Sequence, residues 1–171
     1  MSFTRIPLTS LLVLAALLFP GCSESKLTPE ELQKVNDKLN KTTMSIAVAL
    51  KSMWTTEEVY AKEQYTPRNV DLETWWISLT STRLNLQRMK ALITEHPITI
   101  DRARNLWAGR IQENLNRIDE AGLLTTMPGP VTSKLKSKFG AERVEKETAE
   151  VLKLSREIEG TLGLRKIPVV N

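Results

Sequence analysis

The most regular alternation of apolar and polar positions lies in the middle of the chain, between residues 71 and 96. Apolar side chains recur there in alternating steps of three and four, with one threonine in the series: Leu72, Trp75, Leu79, Thr82, Leu86, Met89 and Ile93. Because a helix turns once every 3.6 residues, this spacing places all of them on one face. The pattern predicts a helix over residues 71–96, which Pro97 ends.

An earlier helix is predicted from residue 28 toward residue 64. Its apolar positions also have helical spacing: Leu32, Val35, Leu39, Ile46 and Met53. Thr28 and Glu31 have the spacing of a capping box, and Pro29 suits the first helical position. Around residues 45–50 apolar side chains occupy most of the circumference, which predicts burial on several sides.

Two further helices are predicted in the second half of the chain. The third covers residues 100–121, and its apolar face comprises Ile100, Ala103, Trp107, Ile111, Leu115 and Ile118. The fourth covers residues 131–162, and its narrow seam comprises Ala141, Val144, Thr148, Val151, Ser155, Ile158 and Leu162. Since many side chains of this seam are small, it favours a close approach to a neighbouring helix.

Short connections join these four segments. The stretches YTPRN at residues 65–69 and TMPGP at residues 126–130 have the composition of turns. No segment shows the alternation typical of a β-strand. The pattern therefore predicts an all-α fold, a four-helix bundle with up-down-up-down topology. The bundle is expected over residues 28–164, with an extended tail at residues 165–171.

The N-terminal segment has a different composition. Arg5 precedes an unbroken apolar run, LLVLAALLF, at residues 11–19, and Pro20 ends this run. The run is shorter than the roughly 20 residues that a membrane-spanning helix needs. A positive charge, a short apolar core and small residues after it are typical of a secretory signal peptide.

The end of this segment, where Gly21 directly precedes Cys22, resembles the lipobox of bacterial lipoproteins. The resemblance implies cleavage before Cys22 and lipid attached to its thiol, hence a signal peptide at residues 1–21 and a lipidated tether at residues 22–27. Aspartate after the cysteine retains Gram-negative lipoproteins at the inner membrane; Ser23 stands there and implies the outer membrane, facing the periplasm. The alternatives are an anchor in another bacterial membrane, or an ordinary signal peptide cut after Ser23, which would release a soluble periplasmic protein.

The charge balance restricts the partners. The chain has 24 Lys and Arg against 20 Asp and Glu, and the predicted signal peptide removes only Arg5. Basic residues are concentrated in one stretch, at Lys134, Lys136, Lys138 and Arg143. A mild positive charge suits anionic head groups or peptidoglycan, or simply a mixed-charge surface in water. Nucleic acid is a poor partner for an exported protein.

Groups that support catalysis or metal binding are scarce. The chain has one histidine, His96, and one cysteine, Cys22. Metal sites need clustered ligands, and nucleophilic catalysis needs a base beside the nucleophile. Cys22 is assigned to lipid, and His96 lies at a predicted helix end, where a cation interacts favourably with the helix dipole. We therefore predict no cofactor, no metal site and no enzymatic activity.

Two places are candidate contacts with a partner. Trp76 points about 100° away from Trp75 on a helix, so it either widens the apolar stripe or provides an exposed hot spot. In the tail, Ile167, Val169 and Val170 either fold back on the bundle or offer an extended strand to a partner sheet.

Together these features predict a membrane-anchored envelope protein that acts as a non-catalytic interaction or assembly module, with another envelope protein as its partner. Adaptors, exclusion-type proteins and pilotins belong to this class. Pilotins, small outer-membrane lipoproteins that escort secretin subunits, include helical examples of comparable architecture, an analogy that concerns architecture alone. The alternative is an envelope enzyme or ligand binder that acts at peptidoglycan through a site between helices.

Overall fold

The computed structural model describes residues 27–63, 66–120 and 130–164 of the 171-residue chain. Contacts between residues divide the chain into two compact units, Met1–Leu32 and Gln33–Asn171. The packing of side chains described below lies within the second unit. Every regular element in the described residues is helical, which confirms the predicted all-α fold class.

The described residues contain six α-helices. They are α1 (Pro29–Glu63), α2 (Asn69–Glu95), α3 (Ile100–Arg110), α4 (Gln112–Glu120), α5 (Pro130–Phe139) and α6 (Ala141–Thr161). A single turn of 3-10 helix, Pro97–Thr99, joins α2 to α3. Among these helices, none combines the length and the hydropathy that a bilayer-spanning segment requires.

The start of α1 is the capping box that the sequence predicts. The backbone N–H of Thr28 donates to Oε2 of Glu31 at 2.8 Å, and the N–H of Glu31 donates to Oγ1 of Thr28 at 3.2 Å. These bonds satisfy two N–H groups that have no partner within the helix. From this cap α1 continues without interruption to Glu63.

The third and fourth predicted helices are each interrupted once. Ile111 separates α3 from α4, although its N–H still donates to the carbonyl of Trp107 at 2.9 Å. Gly140 separates α5 from α6 at a φ of 89°, a backbone conformation that residues with a Cβ rarely adopt. The prediction of two continuous helices is therefore wrong at these positions, and the freedom of glycine at positive φ accounts for the second break.

The inward face of α2 agrees with the sequence pattern. All of its predicted core positions are buried: Leu72, Trp75, Leu79, Thr82, Leu86, Met89 and Ile93. Buried apolar side chains from the other helices join them in one cluster, among them Leu39 and Ile46 of α1, Trp107 of α3 and Leu135 of α5. The hydrophobic stripe of α2 therefore contributes to a core that it shares with the other helices.

The most extensive helix contact is that between α2 and α6. Three ion pairs connect α2 to the α5–α6 segment in ascending order along both: Glu73–Lys138, Arg83–Glu147 and Lys90–Glu157. Since the residue numbers rise together, the two segments run parallel. Thr82 of α2 and Ser155 of α6 are buried, and their small size agrees with the close approach predicted for this seam.

One member of the α6 seam was assigned wrongly. Ala141 is exposed, because it begins α6 directly after the turn at Gly140. Leu154, which lies outside the predicted seam, is buried in the core cluster. The buried face of α6 is therefore wider than its pattern of small residues predicts.

Candidate binding groove

Most of the residues predicted to carry function lie outside the part of the chain that the structure describes. They are Cys22, Ile167, Val169 and Val170. Lipid attachment at Cys22 and partner contact through the tail stay predictions. Of the predicted site residues, the structure describes Trp76.

Trp76 is half-buried and joins two helical segments. Its ring stacks on Phe139 of α5, with 5.1 Å between the ring centroids and 17° between the planes. The guanidinium carbon of Arg143 lies 4.9 Å from the centroid of the same tryptophan ring. These contacts favour the interpretation in which Trp76 widens the core, because much of its ring area is already covered within the protein.

The basic stretch around α5 is also engaged within the protein. Lys136 Nζ donates to Glu145 at 2.8 Å, and Lys138 Nζ donates to Glu73 at 2.9 Å. The guanidinium of Arg143 lies over the ring of Trp76. Lys134 is exposed. Two of the four cations of this stretch, Lys136 and Lys138, are therefore balanced by carboxylates inside the fold.

His96 contributes backbone hydrogen bonds at the end of α2. Its N–H donates to the carbonyl of Leu92 at 3.0 Å, and its carbonyl accepts from the N–H and Oγ1 of Thr99. Within residues 27–63, 66–120 and 130–164, no group of three His, Cys, Asp or Glu side chains is arranged to hold a metal ion.

Asp71 fixes the junction of α1 and α2. It accepts a hydrogen bond from Nε of Arg68 at 3.0 Å and another from Oη of Tyr60. The bond from Arg68, followed by that from Tyr60, lowers the pKa of Asp71 to about 2. The bond to Asp71 raises the pKa of Tyr60. This cluster holds the ends of two helices together through a carboxylate that stays ionised.

Glu57 of α1 is the most unusual carboxyl group in the described residues, because it is only 1% exposed. The N–H of Val131, in the first turn of α5, donates to its Oε2 at 3.1 Å, whereas its Oε1 has no hydrogen-bond partner. Burial raises the pKa of Glu57 to about 7, against the opposing effect of hydrogen bonds from the backbone at Thr132 and Val131. Glu57 therefore joins α1 to the start of α5. Its burial costs more free energy when the carboxyl is ionised than when it is protonated.

A shallow surface groove of about 460 Å³ lies between α1 and α2. Apolar and small side chains line it: Met44, Ser45, Val48, Ala49 and Ser52 from α1, with Ile77, Ser78 and Ser81 from α2. Val48 is 62% exposed and Ile77 is 64% exposed. Exposed apolar groups that gather along one concave surface are typical of binding sites, whereas scattered ones are ordinary.

The prediction that residues 45–50 are buried on several sides is wrong on the side that faces the groove. Ile46 and Leu50 are in the core as predicted, but Val48 lines the groove and is mostly exposed. The signal in the sequence was the excess of apolar residues around the α1 circumference. That excess identifies surplus apolar surface, but periodicity alone does not say which side a neighbouring helix covers.

Comparison with known proteins identifies no relative: no protein-family model, curated protein or solved structure matches this chain.

Proposed function

We propose that this protein is a lipid-anchored, non-catalytic interaction module of the bacterial cell envelope. The observation that carries the proposal is the apolar groove between α1 and α2, in which Val48 and Ile77 are mostly exposed. A groove between two helices is a common way to bind an amphipathic segment of a partner protein. Binding of this kind needs no catalytic group, as expected for the predicted class of adaptors, pilotins and exclusion-type proteins.

The proposed anchor is the lipid on Cys22, at the outer membrane. It is supported by the apolar run, by the lipobox-like Gly21-Cys22 and by Ser23 after them. The five residues 23–27 can span at most about 18 Å. Such a short tether keeps the helical domain close to the membrane, where a partner in the same assembly is available.

The proposed arrangement of the domain is a four-helix bundle with up-down-up-down topology. In it, α3 and α4 together act as the third helix, and α5 and α6 together act as the fourth. The contact of Tyr60 with Asp71 supports an antiparallel α1 and α2, and the ordered ion pairs between α2 and the α5–α6 segment support the parallel second and fourth helices.

The titratable groups give little support to the alternative of an enzyme at peptidoglycan. Asp71 is bonded to Arg68 and Tyr60, and Glu57 is buried against α5. Neither carboxyl lines the groove between α1 and α2. A general acid or base has to reach the proton that it transfers, directly or through one water.

The lipid anchor can be tested by labelling with palmitate. We expect the wild-type chain, expressed in a bacterial host that matures lipoproteins, to take up the label and to fractionate with the outer membrane. The Cys22→Ser variant should take up none, because it lacks the thiol to which the lipid is attached. Equal labelling of both chains, or none in the wild type, would contradict the anchor.

The interaction itself can be tested by photo-crosslinking in intact cells. A crosslinking amino acid is placed at Val48 in the groove or at Val169 in the tail of the full chain. We expect at least one position to capture the same envelope protein reproducibly, with a lower yield when Cys22→Ser removes the anchor. If no position captures a protein, and the purified chain instead cleaves a peptidoglycan fragment, the enzyme alternative is correct.

A further inference from the structure

The sequence around the groove has an unusual charge pattern. Residues 38–56 of α1 contain Lys38, Lys41 and Lys51 but no Asp or Glu. Residues 74–94 of α2 contain Arg83, Arg88 and Lys90 and again no Asp or Glu. Both walls of the groove therefore come from helical stretches whose formal charges are all positive.

The cations of α2 divide between its two sides. Arg83 and Lys90 point toward α6, where they pair with Glu147 and Glu157. Arg88 instead follows Leu84 by four residues and Ser81 by seven, so it continues the row that lines the groove. Arg88 is exposed, and its one described contact is a long hydrogen bond to Asn85 at 3.4 Å.

The cations of α1 lie along the same groove. Lys41 precedes Ser45 by four residues, and Lys51 follows Val48 by three, so both are neighbours of groove residues on the helix surface. Both are exposed. Arg110 of α3 adds a further positive group, because it contacts the sulfur of Met44.

These cations have no acidic partner among the residues that the structure describes. The ion pairs of those residues engage other side chains, so Lys41, Lys51 and Arg88 keep their charge available. By contrast, Lys136 and Lys138 in the basic stretch of α5 are both paired. The rim of the groove therefore carries positive charge that no described carboxylate balances.

The helix directions bring two of these cations to one end of the groove. Tyr60 contacts Asp71, while residues 44–52 face residues 77–81, so α1 and α2 are antiparallel. Lys41 lies 19 residues before Tyr60, and Arg88 lies 17 residues after Asp71. At 1.5 Å of rise per residue, these distances along the two helices agree within about 3 Å.

From this juxtaposition we infer that the groove binds an acidic amphipathic helix of a partner protein. Val48 and Ile77 would pack against its apolar face, and Lys41, Lys51 and Arg88 would face its carboxylates. The serines and Ala49 on the floor let a helix approach closely, since their side chains are small. The inference rests on the proposed function and deepens it by naming the chemistry of the partner.

Charge distinguishes this occupant from two others. A second copy that bound through the same face would bring Lys41 and Arg88 toward cations of like charge. The chain's own tail, residues 165–171, begins with Arg165 and Lys166 and would meet the same repulsion. An anionic bilayer also has a suitable charge, and the lipid arm of the test below distinguishes it from a helix.

The test uses two synthetic 18-residue peptides with identical leucines at helical spacing. One carries glutamates at its polar positions, and its matched control carries lysines there. We expect the full-length protein, in neutral detergent, to bind the glutamate peptide at least about tenfold more tightly in a fluorescence anisotropy assay. Added salt should weaken this binding, because the rim charges are exposed to solvent.

Variants of the protein identify the surface that binds the peptide. Val48→Glu and Ile77→Glu should each weaken binding of the glutamate peptide by at least about tenfold, since they place a charge in the apolar contact. Lys41→Glu and Arg88→Glu should weaken it and improve binding of the lysine peptide. The matched control is Lys134→Glu, which replaces an exposed basic residue of α5 and should change the binding of neither peptide. All replaced residues are exposed, so circular dichroism should be unchanged.

Two outcomes would overturn the inference. One is equal binding of both peptides, or binding that the groove variants leave intact. The other is a crosslinking amino acid at Val48 that captures phosphatidylglycerol in mixed micelles and never the glutamate peptide, which would assign the groove to lipid. In either case the proposed function still stands if the crosslinks in cells identify an envelope protein, and it fails separately if they do not.

Discussion

Replacing Trp75 with alanine is expected to lower the free energy of unfolding by about 3–5 kcal/mol. Trp75 is buried in the N-terminal part of the α2 stripe, in the same cluster as Leu79 and Trp107. Its removal deletes apolar contacts and leaves a cavity that the surrounding helices fill only in part. Since domains are stable by about 5–15 kcal/mol, this single change would remove a large fraction of the total.

The neighbouring tryptophan is the matched control for this prediction. Trp76→Ala deletes the same group from a half-buried position, where the ring is stacked on Phe139. We expect a smaller loss, about 1–2 kcal/mol. Urea denaturation followed by circular dichroism measures both variants. Equal losses for Trp75→Ala and Trp76→Ala would contradict the different burial of the two side chains.

Replacing Glu57 with glutamine is expected to stabilise the protein above pH 7 and to change it little at pH 4. The pKa of Glu57 rises from its usual 4.5 to about 7 on folding, because burial disfavours the charged form. The folded state thus holds the proton more tightly than the unfolded chain does. The stabilising contribution is complete below about pH 4.5 and is lost as the pH rises through about 7.

The size of this effect follows from the shift in the pKa. At 1.36 kcal/mol for each pH unit, a change from 4.5 to about 7 corresponds to about 3 kcal/mol. Glutamine cannot ionise, yet its amide oxygen can still accept the hydrogen bond from Val131. Thermal unfolding of the wild type and of Glu57→Gln between pH 4 and pH 9 gives the comparison. A difference in stability that does not grow with pH would contradict the assignment.

Asp71 provides a control in which stability depends on pH in the opposite direction. Its pKa is lowered from 3.8 to about 2 by the bonds from Arg68 and Tyr60. Its contribution is present above about pH 4 and is lost as the pH falls through about 2, so Asp71→Asn should matter most at neutral pH. Opposite pH dependence in Asp71→Asn and Glu57→Gln would separate these local effects from a general change in charge.

The sequence by itself determined the helical segments and much of the core, because these depend on local periodicity and on caps. The stripe of α2 and the capping box of Thr28 and Glu31 follow directly from the spacing of residues in one element. The breaks at Ile111 and Gly140 were missed, since an apolar pattern can continue through a short interruption of the helix.

The tertiary structure alone decided which surplus apolar and charged groups are covered. Val48 is exposed and Ile46 is buried, although both lie in one apolar stretch of α1, because neighbouring helices cover one side of it. Glu57 is buried because the start of α5 packs against it, far along the chain. Such differences depend on contacts between distant segments, and the periodicity of a single helix carries no information about them.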